Sequence, residues 1–173
     1  QSVLLKHQSG RLSFVSTATN GYDVINVDSA TAYQTIDGFG YTLTGGSAFQ
    51  INHMDAASRA ALLTELFSTS SMGVSYLRVS IGASDLSATV FSYDDMPVGM
   101  TDPTLANFNL SLDTVDVTLV LQQILAINRN TKIMGSHWSP PVWKKRNGSS
   151  IGGSLLPAYY SAYAKYFVKD IQA

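Results

Sequence analysis

Four side chains stand where they could handle a neutral, polyhydroxylated ligand: Arg78, Asp85, Trp138 and Trp143. The stretch Ser136-His137-Trp138-Ser139-Pro140-Pro141-Val142-Trp143 holds both tryptophans of the chain and follows directly on the strand-like Lys132-Ile133-Met134-Gly135. Indole faces suit flat apolar surfaces such as the C–H face of a sugar ring, and the two prolines fix the backbone that carries them. Arg78 lies in Val74-Ser75-Tyr76-Leu77-Arg78-Val79-Ser80-Ile81-Gly82. Alternation would turn Leu77, Val79 and Ile81 to one side and Tyr76, Arg78 and Ser80 to the other. An enclosed arginine needs a carboxylate partner. Asp85, just past the strand, and carboxylates from other strands are both open as that partner, and a purely structural ion pair weighs equally. Asp85 itself can accept hydrogen bonds from two adjacent hydroxyls, or simply cap a turn.

Other chemistries are excluded. Glu65 is the only glutamate and falls in a predicted helix, while Asp94 and Asp95 are adjacent in a loop where their side chains diverge, so no two carboxylates form an acid and nucleophile pair. Gly38-Phe39-Gly40-Tyr41-Thr42-Leu43-Thr44-Gly45-Gly46 lacks the lysine of a phosphate loop and has Leu43 where a dinucleotide fingerprint needs glycine. It reads as close-packed loop backbone. There is no cysteine, and His7, His53 and His137 have no ligand spacing, so neither a metal nor a cofactor is called for. The net charge is -1, and the one basic cluster, Lys144-Lys145-Arg146, reads as a solvated turn rather than a nucleic-acid surface. No apolar run approaches the roughly 18–20 residues of a membrane span.

The elements that must position these residues follow from periodicity. With 45% apolar and only 13% charged residues, the 173-residue chain can bury a sizeable core. Residues 1–30 read as short strands: Arg11–Val15 and Tyr22–Val27 alternate around an Asn20-Gly21 turn. From residue 31 to 173 the pattern becomes strand, loop, helix, three times over. The strands are Gln34–Tyr41, Val74–Ile81 and Lys132–Trp138. Their helices are capped by Asp55, begin near Asp113 and begin near Pro157. Tyr159, Tyr163, Tyr166 and Phe167 form an aromatic stripe that reads as core. Repeated βα units imply a parallel sheet, and long loops after the strands favour a (β/α)8 barrel over a doubly wound sheet. A closed barrel needs about 250 residues, so the expectation is the first part of a larger fold, as a truncation, a proteolytic fragment or one chain of a split protein.

These motifs resemble glycoside hydrolase family 30, which includes glucosylceramidases and endo-β-1,6-glucanases. The resemblance rests on Gln34–Gly40, Tyr76–Asp85, Tyr93–Asp95, Leu105–Leu110, Ser136–Trp143 and Tyr163–Lys169, in family order. It implies three βα units of a TIM barrel, with residues 1–30 as strands of an accessory β-sandwich. It implies retaining hydrolysis of β-glucosides or β-glucans by a secreted enzyme, with both catalytic glutamates beyond Ala173. Asp85, Trp138 and Arg78 then match substrate-binding residues. Trp143 is taken with them, with supporting structure as its alternative role. Gly45-Gly46 stands where glucosylceramidases carry an aspartate, His137 where a proline is usual, and Leu86 where an aromatic is usual; these point away from glucosylceramide itself. The alternative reading is a non-catalytic sugar-binding module using the same tryptophan and aspartate.

Overall fold

The computed structural model describes residues 9–10, 13–14 and 21–173, and the chain divides after Thr35 into two units. In the first unit, Arg11, Leu12, Val15 and Asn20 of the expected hairpin lie outside the described residues. The expected second arm, Tyr22–Val27, forms no strand. Its Tyr22, Val24, Ile25 and Val27 are all strongly exposed, so neither alternating face is buried. Asp28 closes a local turn instead, accepting from the Ala30 N–H at 2.9 Å and the Thr31 hydroxyl at 2.5 Å.

The second unit is built on three parallel strands in the order β1 (Gly40–Leu43), β2 (Tyr76–Ile81) and β3 (Lys132–His137). Helices α1 (Gly45–Asn52) and α2 (Ala56–Phe67) connect β1 to β2, α3 (Val117–Ile127) connects β2 to β3, and α4 (Tyr160–Gln172) follows β3. The parallel α/β reading holds. The first strand, however, begins at Gly40 rather than Gln34, because pairing starts where Gly40 meets Tyr76, the first residue of β2. Upstream, Asp37 reaches the base of β3 through an ion pair with Lys132 at 2.8 Å.

The glycine run also hides a helix. Gly45 and Gly46 open α1, which Thr44 caps by accepting from the Ser47 N–H at 3.2 Å. Two glycines in a first turn suppress the propensity signal, while the capping threonine was the available clue. Asp55 caps α2 as expected, accepting from the N–H groups of Ala57 and Ser58 at 3.1 and 2.9 Å. The helix expected near Asp113 starts at Val117, and Pro157 opens a 3-10 turn that leads into α4.

Two cores hold this unit. Leu43, Ala48, Leu63, Phe67, Val74, Leu77, Val120 and Ile124 lock the sheet to α1, α2 and α3, with Val79 packed against them. Ile81, Tyr93, Leu105 and Tyr166 form the second, joined by Phe91, Phe108, Tyr163 and Phe167. Leu77, Val79 and Ile81 thus face the helices, as alternation requires, and Tyr163, Tyr166 and Phe167 are core. The second cluster lies under the loop that follows β2, and so supports the residues at the strand ends.

Candidate functional site

The face of the sheet turned away from the helices carries the polar candidates. Parallel register sets Thr42 beside Arg78 and Arg78 beside Met134, with Ser80 beside Ser136. The Arg78 guanidinium donates to the Ser136 hydroxyl at 2.8 Å and lies 5.9 Å from the centre of the Trp138 ring. Among the described residues its anchor is therefore a serine and an indole, not Asp85. The reason is register: Ser136 is diagonal to Arg78 on the adjacent strand, whereas Asp85 sits beyond the strand end on the following loop.

Asp85 and Trp138 meet in a cleft of about 280 Å³ between the loops after β2 and β3. One wall is Ala83, Ser84 and Asp85 with Phe91; the other is Trp138, Ser139 and Pro140. Trp138 is 51% exposed, so its ring is available to a ligand. Asp85 is exposed, while Ser84 beside it is buried and its backbone N–H donates to the Ser87 hydroxyl at 3.0 Å. The short turn that presents the carboxylate is thereby held from beneath.

Trp143 stands apart from this cleft. Its indole N–H donates to the Asp94 carbonyl at 2.9 Å, and its ring meets Tyr159 edge-on at 4.9 Å. It therefore packs between the Asp94 backbone and Tyr159 rather than lining the cleft. The basic cluster beside it corrects the sequence reading. Lys144 is fully buried and Lys145 nearly so, where a solvated turn was expected. Lys144 pairs with Asp94 at 3.5 Å, and its ammonium lies 4.7 Å from the ring centres of both Trp143 and Tyr166. Lys145 donates to the Ser139 hydroxyl at 3.2 Å and the Ser150 carbonyl at 3.1 Å. Lys144 and Trp143, through Asp94, clasp the β3 loop, with its Trp138, to the β2 loop, with its Asp85, while Lys145 ties the β3 loop to itself. No local signal announced the clasp, because Asp94 and Lys144 come from different loops.

The charges near the clasp are shifted by their enclosure. Burial outweighs the attraction of Lys144 and pushes the Asp94 carboxyl up to about 6. Burial likewise lowers Lys144. His137 faces the helices, ringed by Tyr163, Tyr166 and Phe167 at 5.2, 5.2 and 5.3 Å. Burial, followed by the nearby Lys144 charge, holds it down to about 4, so it is a neutral aromatic at neutral pH.

The neighbouring carboxylates are committed elsewhere. Asp94 faces Lys144, Asp95 accepts from the backbone and hydroxyl of Ser92 at 2.7 and 2.6 Å, and Asp113 accepts from the Tyr93 hydroxyl. What remains is a cleft with an acceptor and an indole face, suited to holding hydroxyls, with the Arg78 guanidinium beside the indole but outside the cleft lining. No group of three or more metal-ligating side chains occurs among the described residues, and no helix there is long and apolar enough to cross a membrane.

Residues 36–173 match the family profile described as glycosyl hydrolase family 30 TIM-barrel domain. The chain belongs to glycosyl hydrolase family 30. Among the relatives of this family 30 chain is an endo-1,6-beta-D-glucanase of Neurospora crassa, 39% identical over 145 residues, covering 81% of this chain and 30% of the relative. The lysosomal acid glucosylceramidase of Mus musculus is 30% identical over 148 residues, covering 82% of this chain and 28% of the relative. A solved endo-beta1,6-glucanase superposes with a TM-score of 0.74 at 37% identity, covering 84% of this chain and 33% of that structure. The family 30 chain thus spans about a third of the relatives it matches, and its three-stranded parallel sheet is part of a TIM-barrel domain.

Proposed function

We propose that this chain supplies substrate-binding residues to a retaining β-glycoside hydrolase that acts on β-linked glucosides or β-glucans. The observation that carries the reading is the convergence of Asp85 and Trp138 on the walls of one cleft at the ends of β2 and β3, within a family 30 frame. In barrels of this kind ligands meet the C-terminal ends of the strands. Asp85 accepts two hydroxyls of the sugar, Trp138 packs on its C–H face, and Arg78, tied to Ser136, presents positive charge toward the reacting centre. Retaining chemistry then requires two carboxyl groups about 5–5.5 Å apart, one nucleophile and one acid/base. We assign these to glutamates beyond Ala173, in a complete secreted enzyme whose accessory β-sandwich takes residues 1–30. Similarity to the Neurospora endo-1,6-beta-D-glucanase and to the solved endo-beta1,6-glucanase favours a β-1,6-glucan.

The test is Asp85→Ala in the complete enzyme. Turnover (kcat/KM) on a nitrophenyl β-glucoside is expected to fall on the order of 10²-fold, the weight of charge-assisted hydrogen bonds. The melting temperature should hold, since Asp85 is exposed. Retained turnover would remove Asp85 from the site. A second reading, a sugar-binding module without hydrolysis, is favoured by the commitment of the neighbouring carboxylates to other partners. Calorimetric titration showing gluco-oligosaccharide binding, with no hydrolysis by the complete protein, would establish it.

A further inference from the structure

A second and larger cleft, of about 490 Å³, lies on the other side of the Asp85 loop. Gly45 and Gly46 line it together with Phe49 and Gln50 of α1, and Asp116 stands at the start of α3. Asp85 and Phe91 line this cleft as well as the one that holds Trp138, so the loop after β2 is a ridge shared by two adjoining depressions. The size falls within the roughly 300–1,000 Å³ of small-molecule sites.

The cleft is built rather than incidental. A Cβ on Gly46 would lie 2.5 Å from the Leu86 carbonyl oxygen, and one on Gly45 would lie 3.2 Å from the Ser87 hydroxyl. Bare backbone is therefore what lets the β1 and β2 loops meet. The α1 and α3 walls are tied together where Asn52 donates to Asp116 at 2.8 Å, and Arg59 of α2 holds that end of α1 by donating to the Asn52 carbonyl at 2.6 Å. The lining chemistry selects the ligand. No lysine or arginine faces the cleft, while Asp85, Asp113 and Asp116 do, which disfavours any anion. Phe49 is 47% exposed with His53 stacked against it at 4.0 Å, leaving an apolar ring face open. Gln50 adds donors and an acceptor.

We propose that this cleft is a second glycosyl subsite, holding a further unit of the glucan whose neighbour sits against Trp138, and that it makes the enzyme prefer oligomeric chains to single glucosides. The proposal rests on the glycosidase reading above for the identity of the chain. It assigns Phe49 as the stacking surface and Gln50 and Asp116 as hydroxyl partners.

The test uses the complete enzyme and β-1,6-linked gluco-oligosaccharides of increasing length, with turnover and calorimetric affinity measured side by side. Wild type should gain in both as the chain lengthens. Phe49→Ala and, separately, Gln50→Ala should lower the ratio of long-chain to short-chain kcat/KM by about 5- to 20-fold, the scale of one aromatic or polar contact. Gln50 is exposed and its truncation leaves α1 intact if removal of Phe49 does not. A wild-type affinity that ignores chain length, or a length preference unchanged in Gln50→Ala, overturns the subsite. Length-dependent binding lost in the variants, with no hydrolysis by wild type, supports the subsite and instead overturns the glycosidase reading.

Discussion

Lys144 carries an ionisable amine into the interior, and the surroundings explain how it is tolerated. Asp94 offers an opposite charge at 3.5 Å, and the rings of Trp143 and Tyr166 offer their negative faces. Removing one member of a buried pair strands the other and costs roughly 3–5 kcal/mol. Lys144→Met should therefore lower stability by about 3 kcal/mol near pH 8, read by denaturant unfolding. The loss should shrink near pH 5, where the stranded Asp94, already pushed up to about 6, takes a proton. A pH-independent loss would mean that packing rather than charge dominates. His137 gives a second prediction at this scale. Its pKa drops from 6.5 to about 4 on folding, so the unfolded chain binds more protons between those values and stability falls as pH falls through that window. Asp94, raised, acts in the opposite sense over the same range, so the two must be separated by mutation. His137→Phe keeps a ring among Tyr163, Tyr166 and Phe167, and should remove up to about 3 kcal/mol of the acid-side loss. Melting curves from about pH 7 to about pH 4 that stay parallel for both proteins would refute the assignment.

At the level of elements, the central strand organises the site. β2 turns Leu77 and Ile81 into the cores and Arg78 to the opposite face, and its last residue leads into the loop that bears Asp85. β1 can pair with it only because Gly40 has no side chain: a Cβ there would lie 1.4 Å from the Tyr76 carbonyl oxygen. Gly40→Ala should therefore separate β1 from β2, seen as loss of slow amide exchange across the Gly40–Leu43 and Tyr76–Val79 pairing, together with a large drop in melting temperature. Retention of that protection would mean that the strands shift to make room. Periodicity and caps made β2, β3, α2 and α4 legible beforehand, since each carries its own apolar pattern and its own start signal. α1 was not legible, because its first turn is glycine. The start of β1 was not legible either, because a strand in a parallel sheet begins where its neighbour begins.

For the molecule as a whole, β1 and β3 each have one hydrogen-bonded neighbour among the described residues, and Ile133 and Met134 of β3 are partly exposed. Unpaired edges of this kind template association, and a barrel removes them by closure. Residues 36–173 produced alone should self-associate and bind the dye ANS, whereas the complete enzyme should do neither. Size-exclusion chromatography with light scattering checks this, and a monomeric, dye-silent product would favour the self-sufficient binding module. What the amino-acid sequence determined by itself was local and compositional: the parallel βα repeat, the capped helices, the aromatic core stripe, and an acid and an indole at positions 85 and 138. Only the tertiary structure decided which of these meet. Parallel register chose Ser136 as the partner of Arg78, loop packing turned a basic cluster into a buried clasp with Asp94, and the close approach of two loops over Gly45 and Gly46 opened a cleft on each side of Asp85. The physical reason is the same in each case: contacts between residues far apart in sequence leave no periodicity in it, and they exist only once the strands are in register.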